Sequence, residues 1–316
     1  MRCKICNNEK ENKIYEAQEM MFGYQDIFRY FQCPVCDCLQ IEDFPKNMSK
    51  YYPDDYYSYQ TLSSCNAIRG LFMRLRDAYA LFGKGLIGKL LYAKYPKEDL
   101  ISLSLCSITM DTTILDVGCG AGRLLYSLRE LGIKNLLGID PFNAQDIEYE
   151  NGLKIRKVDI HHVKGLWDIV MFHHSFEHMP DPAETLKTAA RLLSPDGQCV
   201  IRIPIASSYA WGRYGVHWVQ LDAPRHFYLH SVRSMHILSE QAGLGLYKVV
   251  YDSTSFQFWG SEQYTKAIPL RDKRSYAVNP KTSIFSKWEI SLFTQRAKEL
   301  NAIGQGDQAV FYLQKF

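Results

Sequence analysis

The chain has 316 residues, 47% hydrophobic and 22% charged, with no low-complexity tract; this is a globular composition that excludes a disordered chain. The length allows one large domain with an appendage, or two ordinary ones, and a formal net charge of +3 gives no case for a protein that coats nucleic acid. The first ten residues, MRCKICNNEK, hold no apolar signal core, and no uninterrupted apolar run approaches about 18 residues, so a cytoplasmic location is expected.

Nine cysteines in such a chain point away from a disulfide framework. Four of them, Cys3 and Cys6 in CKIC and Cys33 and Cys36 in CPVC, are spaced as two C-x2-C turns. Each turn can aim two thiolates at one cation, and two turns complete a tetrahedron around a structural Zn2+ that has no open position for substrate. Residues 1–60 are therefore read as a small zinc-ribbon-like module, with a two-stranded excursion filling the gap between the pairs. Cys38 lies close enough to take the place of Cys36, and four unrelated reduced thiols or a redox CxxC are the alternatives. KYYPDDYYSY (50–59) reads as an aromatic strap onto the next domain.

Residues 61–105 read as a helical connector. Within it, residues 66–95 alternate apolar positions with Arg69, Arg74, Arg76, Lys84, Lys89 and Lys94, against a single acid, Asp77. Such a stretch can make peripheral contact with an anionic membrane surface; the alternative is an apolar face turned to the core and a solvated basic face. Gly83, Gly85 and Gly88 argue against one unbroken helix.

From residue 106 onward the pattern alternates β-rich runs with helical ones: TTILDVGCG, GRLLYSLRELG, NLLGID, LKIRKVDI, WDIVMFHH, PAETLKTAARLL and GQCVIRIPI. This predicts an α/β fold, a doubly wound, mainly parallel sheet with helices on both faces. Ligands of such sheets bind at the carboxyl ends of the strands. In LDVGCGAG, Gly118, Gly120 and Gly122 permit a turn tight enough for a ligand to touch main chain. A dinucleotide fingerprint wants a glycine where Arg123 stands.

The pattern from Asp116 to Gly122 resembles instead the first motif of class I S-adenosylmethionine-dependent methyltransferases, whose fold is Rossmann-like. The resemblance implies that S-adenosylmethionine lies on Asp116, Gly118, Cys119, Gly120 and Gly122. It also implies that Asp140, beside Pro141, holds the ribose hydroxyls and that Asp159, beside Ile160, holds the adenine amino group. His173 is placed at the same pocket. The last two strand candidates, LGLYKVVYD and QAVFYLQKF, fit the family's antiparallel edge hairpin, with a helical insert over 253–307. That insert is a lid over the acceptor, or a packing or dimerisation helix.

HHSFEHMPDP (173–182) follows the fourth strand. Asp181 is a good N-cap, Pro182 suits the first helical position and Glu184 completes a capping box, which leaves 173–180 as loop and argues against a helical H-x3-H zinc site. A carboxylate touching the cofactor's sulfonium would stabilise reactants more than the transition state, so Glu177 belongs on the acceptor side. His174 and His178 are candidate bases for a hydroxyl acceptor, with Glu177 orienting them. The loop also resembles the Glu-His segment of ubiquinone-pathway O-methyltransferases, some of which are thought to use it with a divalent metal, so Mg2+ is an alternative. RYGVHWVQLDAPRHF (213–227) supplies Tyr214, Trp218, Asp222, Arg225 and His226 for acceptor binding, and His217 or His226 as another base.

Taken together, these features resemble bacterial methyltransferases of surface-polysaccharide and sugar modification. The expected acceptor is a small molecule or glycan, a sugar hydroxyl first. Carbon methylation of a keto-sugar, RNA methylation and a non-catalytic cofactor-binding scaffold are the alternatives, and the sequence leaves the oligomeric state open.

Overall fold

A computed structural model describes residues 1–53, 57–62 and 66–316. At the front, β1 (Lys13–Gln18) and β2 (Ile27–Gln32) form an antiparallel hairpin, and β3 (Leu39–Ile41) pairs with β2. This is the two-stranded excursion expected between the cysteine pairs. Residues 54–56 of the strap, and Cys65, lie outside the described residues.

The basic stretch folds as a helical hairpin, α1 (Ala67–Phe82) and α2 (Leu86–Lys94), followed by the short α3 (Glu98–Ile101). The break falls at Gly83 and Gly85, both with positive φ. Gly88 lies inside α2 and lets the helices cross closely, because a Cβ there would sit 2.3 Å from the carbonyl oxygen of Leu75.

The central sheet begins with β4 (Thr113–Val117), α4 (Arg123–Glu130), β5 (Asn135–Ile139), the short β6 (Ile147–Glu148) and β7 (Lys154–Arg156). It continues through β8 (Trp167–His173), α5 (Pro182–Leu192), β9 (Leu193–Pro204), α6 (Tyr209–Tyr214), β10 (Tyr228–Leu229) and α7 (Val232–Gln241). The chain ends with β11 (Leu244–Tyr251), α8 (Phe256–Thr265), α9 (Lys287–Ala302) and β12 (Gln308–Lys315).

Eight strands pair in the order β11-β12-β9-β8-β4-β5-β7-β6. β4 lies parallel to both β5 and β8, whereas β12 runs antiparallel to β9 and β11. The order therefore switches at β4, the place where such sheets open a ligand crevice. Alternate residues of the inner strands serve opposite faces: Leu115, Val170 and Phe172 pack with α5 and α7, while Ile114, Ile169 and Met171 pack with α1, α3 and α4. Both faces are apolar, which is why helices cover both.

Residues 1–60 do not close on themselves. β10 adds to β3, so the front sheet runs β1-β2-β3-β10. Cys3, Ile5, Phe31 and Cys33 share a core with Met235 and Leu238 of α7. The insert is also packed: Phe258 of α8 stacks on Phe293 of α9, and Trp211, Trp218 and Leu300 share a core with Tyr30 and Leu39. No helix among the described residues is long and apolar enough to cross a membrane.

Candidate active site

The glycine-rich turn follows β4 at the switch point. Gly118 has φ +72°, and a Cβ there would lie 2.5 Å from Ser175 Cβ, so only glycine lets the β8 loop approach. Gly120, at φ +54°, faces the strap: a Cβ would lie 2.3 Å from the Ser58 carbonyl oxygen, which accepts a 2.8 Å hydrogen bond from Ala121 N–H. The strap thus crosses over the turn, as expected of residues 50–59. Asn143 donates to the Gly120 carbonyl at 2.8 Å and Tyr149 to that of Ala121 at 2.6 Å. Sequence reasoning missed both residues, although Asn143 stands three positions past Asp140.

The carboxylates expected at the cofactor occupy the strand ends. Asp140 accepts from Gly120 N–H and from Phe142 N–H, each at 2.9 Å. Burial raises its pKa against those bonds. Pro141 is half-buried and Phe142 beside it is 77% exposed. Asp116 is buried with Oδ1 lacking a hydrogen-bond partner, and burial, together with the Asp140 charge, pushes it up to about 8. An unpartnered carboxylate beside a turn kept open by glycine fits a ligand bearing an ammonium group. Asp159 caps a 3-10 turn by accepting from His161 N–H at 2.9 Å and is half exposed, while Ile160 is core. Cys119 is half-buried in the turn. His173 lies with Nδ1 unpartnered, and its pKa falls through burial and nearby Arg202.

The β8 loop holds the second half of the site. Asp181 caps α5 through Glu184 N–H, but the Glu184 side chain does not return the bond and lies 3.6 Å from Arg191. A 3-10 turn, Phe176–His178, carries Glu177 inward. Glu177 is fully buried and neither carboxylate oxygen has a hydrogen-bond partner among the described residues. Burial alone would raise its pKa, but His174, His178 and His226 around it hold it below the usual carboxylate range.

His178 Nδ1 donates to the Arg225 carbonyl at 2.7 Å, and His226 Nδ1 to the Gln220 carbonyl at 2.8 Å. A carbonyl can only accept, so in both neutral rings the lone pair is on Nε2. His226 Nε2 stands 3.9 Å from Glu177 and 3.8 Å from Asp222. Burial lowers the pKa of His178, which keeps its ring neutral. One donor atom from each of Glu177, His178 and His226 lies within 4.8 Å of the others, so the same three groups could hold a cation. Two imidazoles and one carboxylate suit a transition metal better than Mg2+, which prefers oxygen.

Several expected roles change. His174 sits at φ +51°, its Nε2 accepts from Arg202 at 2.8 Å, and Arg202 also pairs with Asp252. Its lone pair is therefore occupied, and its Nδ1 faces Glu177 at 3.5 Å. His217 is exposed at the end of a short turn, and no hydrogen bond or ion pair links its side chain to Glu177 among the described residues. Trp218 is fully buried and donates to Asp307; Tyr214 is buried and donates to Glu262. Arg225 is fully buried between Glu19 and Asp222. These three side chains pack the interior and present no face to an acceptor, because the front sheet and the insert cover the loop that carries them.

In the front module, Cys3 and Cys36 sulfurs lie 3.5 Å apart, as do those of Cys6 and Cys33, and all four lie within 4.8 Å of one another. Ile5 N–H and the Gln40 amide both point at Cys3 Sγ, and the thiol beside it on Cys36 is foremost in lowering Cys3 to about 5. Cys38 turns away, toward His230, which separates it from the four.

A methyltransferase-domain family model matches residues 81–249, more than half of the chain. The chain belongs to this family and carries a class I S-adenosylmethionine-dependent methyltransferase domain. Among similar proteins is a ubiquinone biosynthesis O-methyltransferase of Aromatoleum aromaticum, 31% identical over 151 residues, 42% of this chain and 63% of that one. Another, of Colwellia psychrerythraea, is 36% identical over 98 residues, 28% of this chain and 39% of that one. The chain thus spans less than two thirds of these relatives. Of solved structures, the cyclopropane synthase MmaA2 from Mycobacterium tuberculosis is 18% identical, with a TM-score of 0.45 over 77% of this chain and 93% of that one.

Proposed function

We propose that the protein transfers a methyl group from S-adenosylmethionine to a hydroxyl of a small-molecule or glycan acceptor. The observation that carries this reading is the convergence of His178, His226 and Glu177 where the β8 loop packs against Gly118. When bound, the cofactor supplies an electrophilic methyl on a positively charged sulfur. Asp116, Gly118, Gly120 and Asp140 would hold it. The lone pair on Nε2 of His178 or His226 takes the hydroxyl proton as the acceptor oxygen becomes nucleophilic. Glu177 stabilises the imidazolium that results, and His174 keeps Glu177 aimed. The relatives are named O-methyltransferases, which favours oxygen over carbon as the atom methylated.

A divalent transition metal on the same three groups is the second reading, favoured by the two unpartnered oxygens of Glu177. It would lower the pKa of a hydroxyl bound to it. In the front module we propose one structural Zn2+ on Cys3, Cys6, Cys33 and Cys36.

The test is incubation with methyl-labelled S-adenosylmethionine and separate panels of nucleotide sugars, cell-envelope glycans, ubiquinone-biosynthetic acceptors and RNA. Label on a hydroxyl oxygen of a small molecule or glycan is expected. Label confined to RNA, or to carbon, would overturn the reading. Transfer retained in excess chelator would argue for the imidazole base over the metal.

A further inference from the structure

The helical hairpin leaves its apolar face uncovered. On α1, Asp77, Ala80 and Leu81 turn to the core, and the opposite face carries Ile68, Leu71 and Phe72 at helical spacing. These three are 70%, 49% and 48% exposed. On α2 only Gly88 is buried, whereas Leu86, Ile87 and Leu90 are 84%, 58% and 73% exposed. Between the helices runs an open groove of about 680 Å3, lined by Ile68, Phe72, Met73, Leu91 and Tyr95 and edged by Arg69 and Arg76.

The charges on this surface have one sign. Asp77, the single acid of the stretch, is buried and paired with Arg76 and Lys97. Arg69, Arg74, Lys84, Lys89 and Lys94 are exposed, and none has an ion-pair partner among the described residues. On α2, Lys89 and Lys94 flank the exposed stripe of Leu86 and Leu90 at helical spacing. Solvated leucines bordered by cations that have no acidic partner among the described residues match the two demands of a lipid interface, apolar depth and negative headgroups. Nucleic acid would use the cations and leave the leucines in water.

We propose that the α1–α2 hairpin docks this protein on an anionic phospholipid surface. Leu86, Ile87 and Leu90 enter the headgroup–acyl boundary, and the five exposed cations meet lipid phosphates. The hairpin starts near the cofactor edge of the sheet: Leu62 N–H reaches Tyr149, whose hydroxyl bonds Ala121 of the glycine turn. Four residues of chain then reach Asn66 within about 14 Å. Docking therefore holds the cofactor edge close to the bilayer. The inference is independent of which acceptor is methylated.

The test is flotation of the full chain with phosphatidylcholine vesicles, with and without phosphatidylglycerol, at low and high salt. Binding to the phosphatidylglycerol vesicles, weakened at least tenfold by salt or by the Leu86→Glu/Leu90→Glu double substitution, is expected. Lys84→Ala/Lys89→Ala/Lys94→Ala should remove the preference for anionic lipid. Cofactor binding by calorimetry should be unchanged in the leucine variant, which shows that it folds. Absence of flotation at low salt, equal binding to neutral vesicles, or binding undiminished by both variants would overturn the proposal. So would a dimer, by analytical ultracentrifugation, that Leu86→Glu/Leu90→Glu dissolves, or tighter binding to RNA than to vesicles.

Discussion

Arg225 and Glu19, 206 positions apart, meet at 2.9 Å with both side chains fully out of solvent. Asp222 takes a second guanidinium contact at 2.6 Å, and the Glu19 carboxylate also accepts from the backbone N–H groups of Met21, Phe22, Gly23 and Tyr24. A buried pair satisfied this completely contributes little net stability by its presence, yet removing one member strands the other.

Arg225→Met should therefore lower unfolding free energy by about 3–5 kcal/mol, measured by urea titration. Arg225→Lys should recover only part of it, since an ammonium cannot reproduce the two-pronged contact.

Asp116 makes stability depend on pH. Its folded pKa of about 8 lies above the ordinary 3.8, so the folded state holds a proton that the unfolded chain has lost. Stability of the ligand-free protein should fall as pH rises from about 4 to 8 through this group. Asp116→Asn should melt higher than the wild type by a margin that widens over that window, while cofactor affinity drops at least about tenfold, the scale of one charge-assisted hydrogen bond. Scanning calorimetry at several pH values, paired with titration calorimetry, checks both signs.

On the role proposed for His178 and His226, their removal should affect turnover and leave cofactor binding alone. His178→Ala or His226→Ala should lower kcat by about 10²–10⁴ with an unchanged Kd for S-adenosylmethionine. His174→Ala should cost less, because its Nε2 is already bonded to Arg202. Equal losses in all three would remove the distinction drawn between them.

The four thiols should bind about one zinc ion per chain by elemental analysis, the capacity of a tetrahedral site built from four cysteines. Cys6→Ser should lose that zinc and melt well below the wild type, and chelator should lower the wild-type melting temperature toward the same value.

The glycine turn and the aspartates that follow the strands were readable in advance as positions in the fold. Asp116, Gly118 and Asp140 each sit at a strand end in the local pattern that defines it, and Asp159 follows β7 by three residues as the cap of a 3-10 turn, so short windows of sequence sufficed. Asn143 lay within such a window and was overlooked because nothing marks an asparagine after a turn as reaching back to Gly120. The acceptor half was not readable in the same way. Whether Trp218 and Arg225 face a ligand or the interior depends on Asp307 and Glu19, which lie 89 and 206 positions away. His226 lies beside Glu177 where Phe227 N–H bonds the Glu177 carbonyl and β10 pairs two residues with β3, contacts that carry no periodic signal.

That short pairing also sets what can be separated. Tyr30 donates to the His226 carbonyl, and Ser231 donates to the Cys36 carbonyl. The cysteine knuckle and His226 are therefore fastened to opposite ends of one short span of chain. The front sixty residues cannot serve as an exchangeable cassette: a transferase trimmed to start after them would lose the wall against which its own histidine is set.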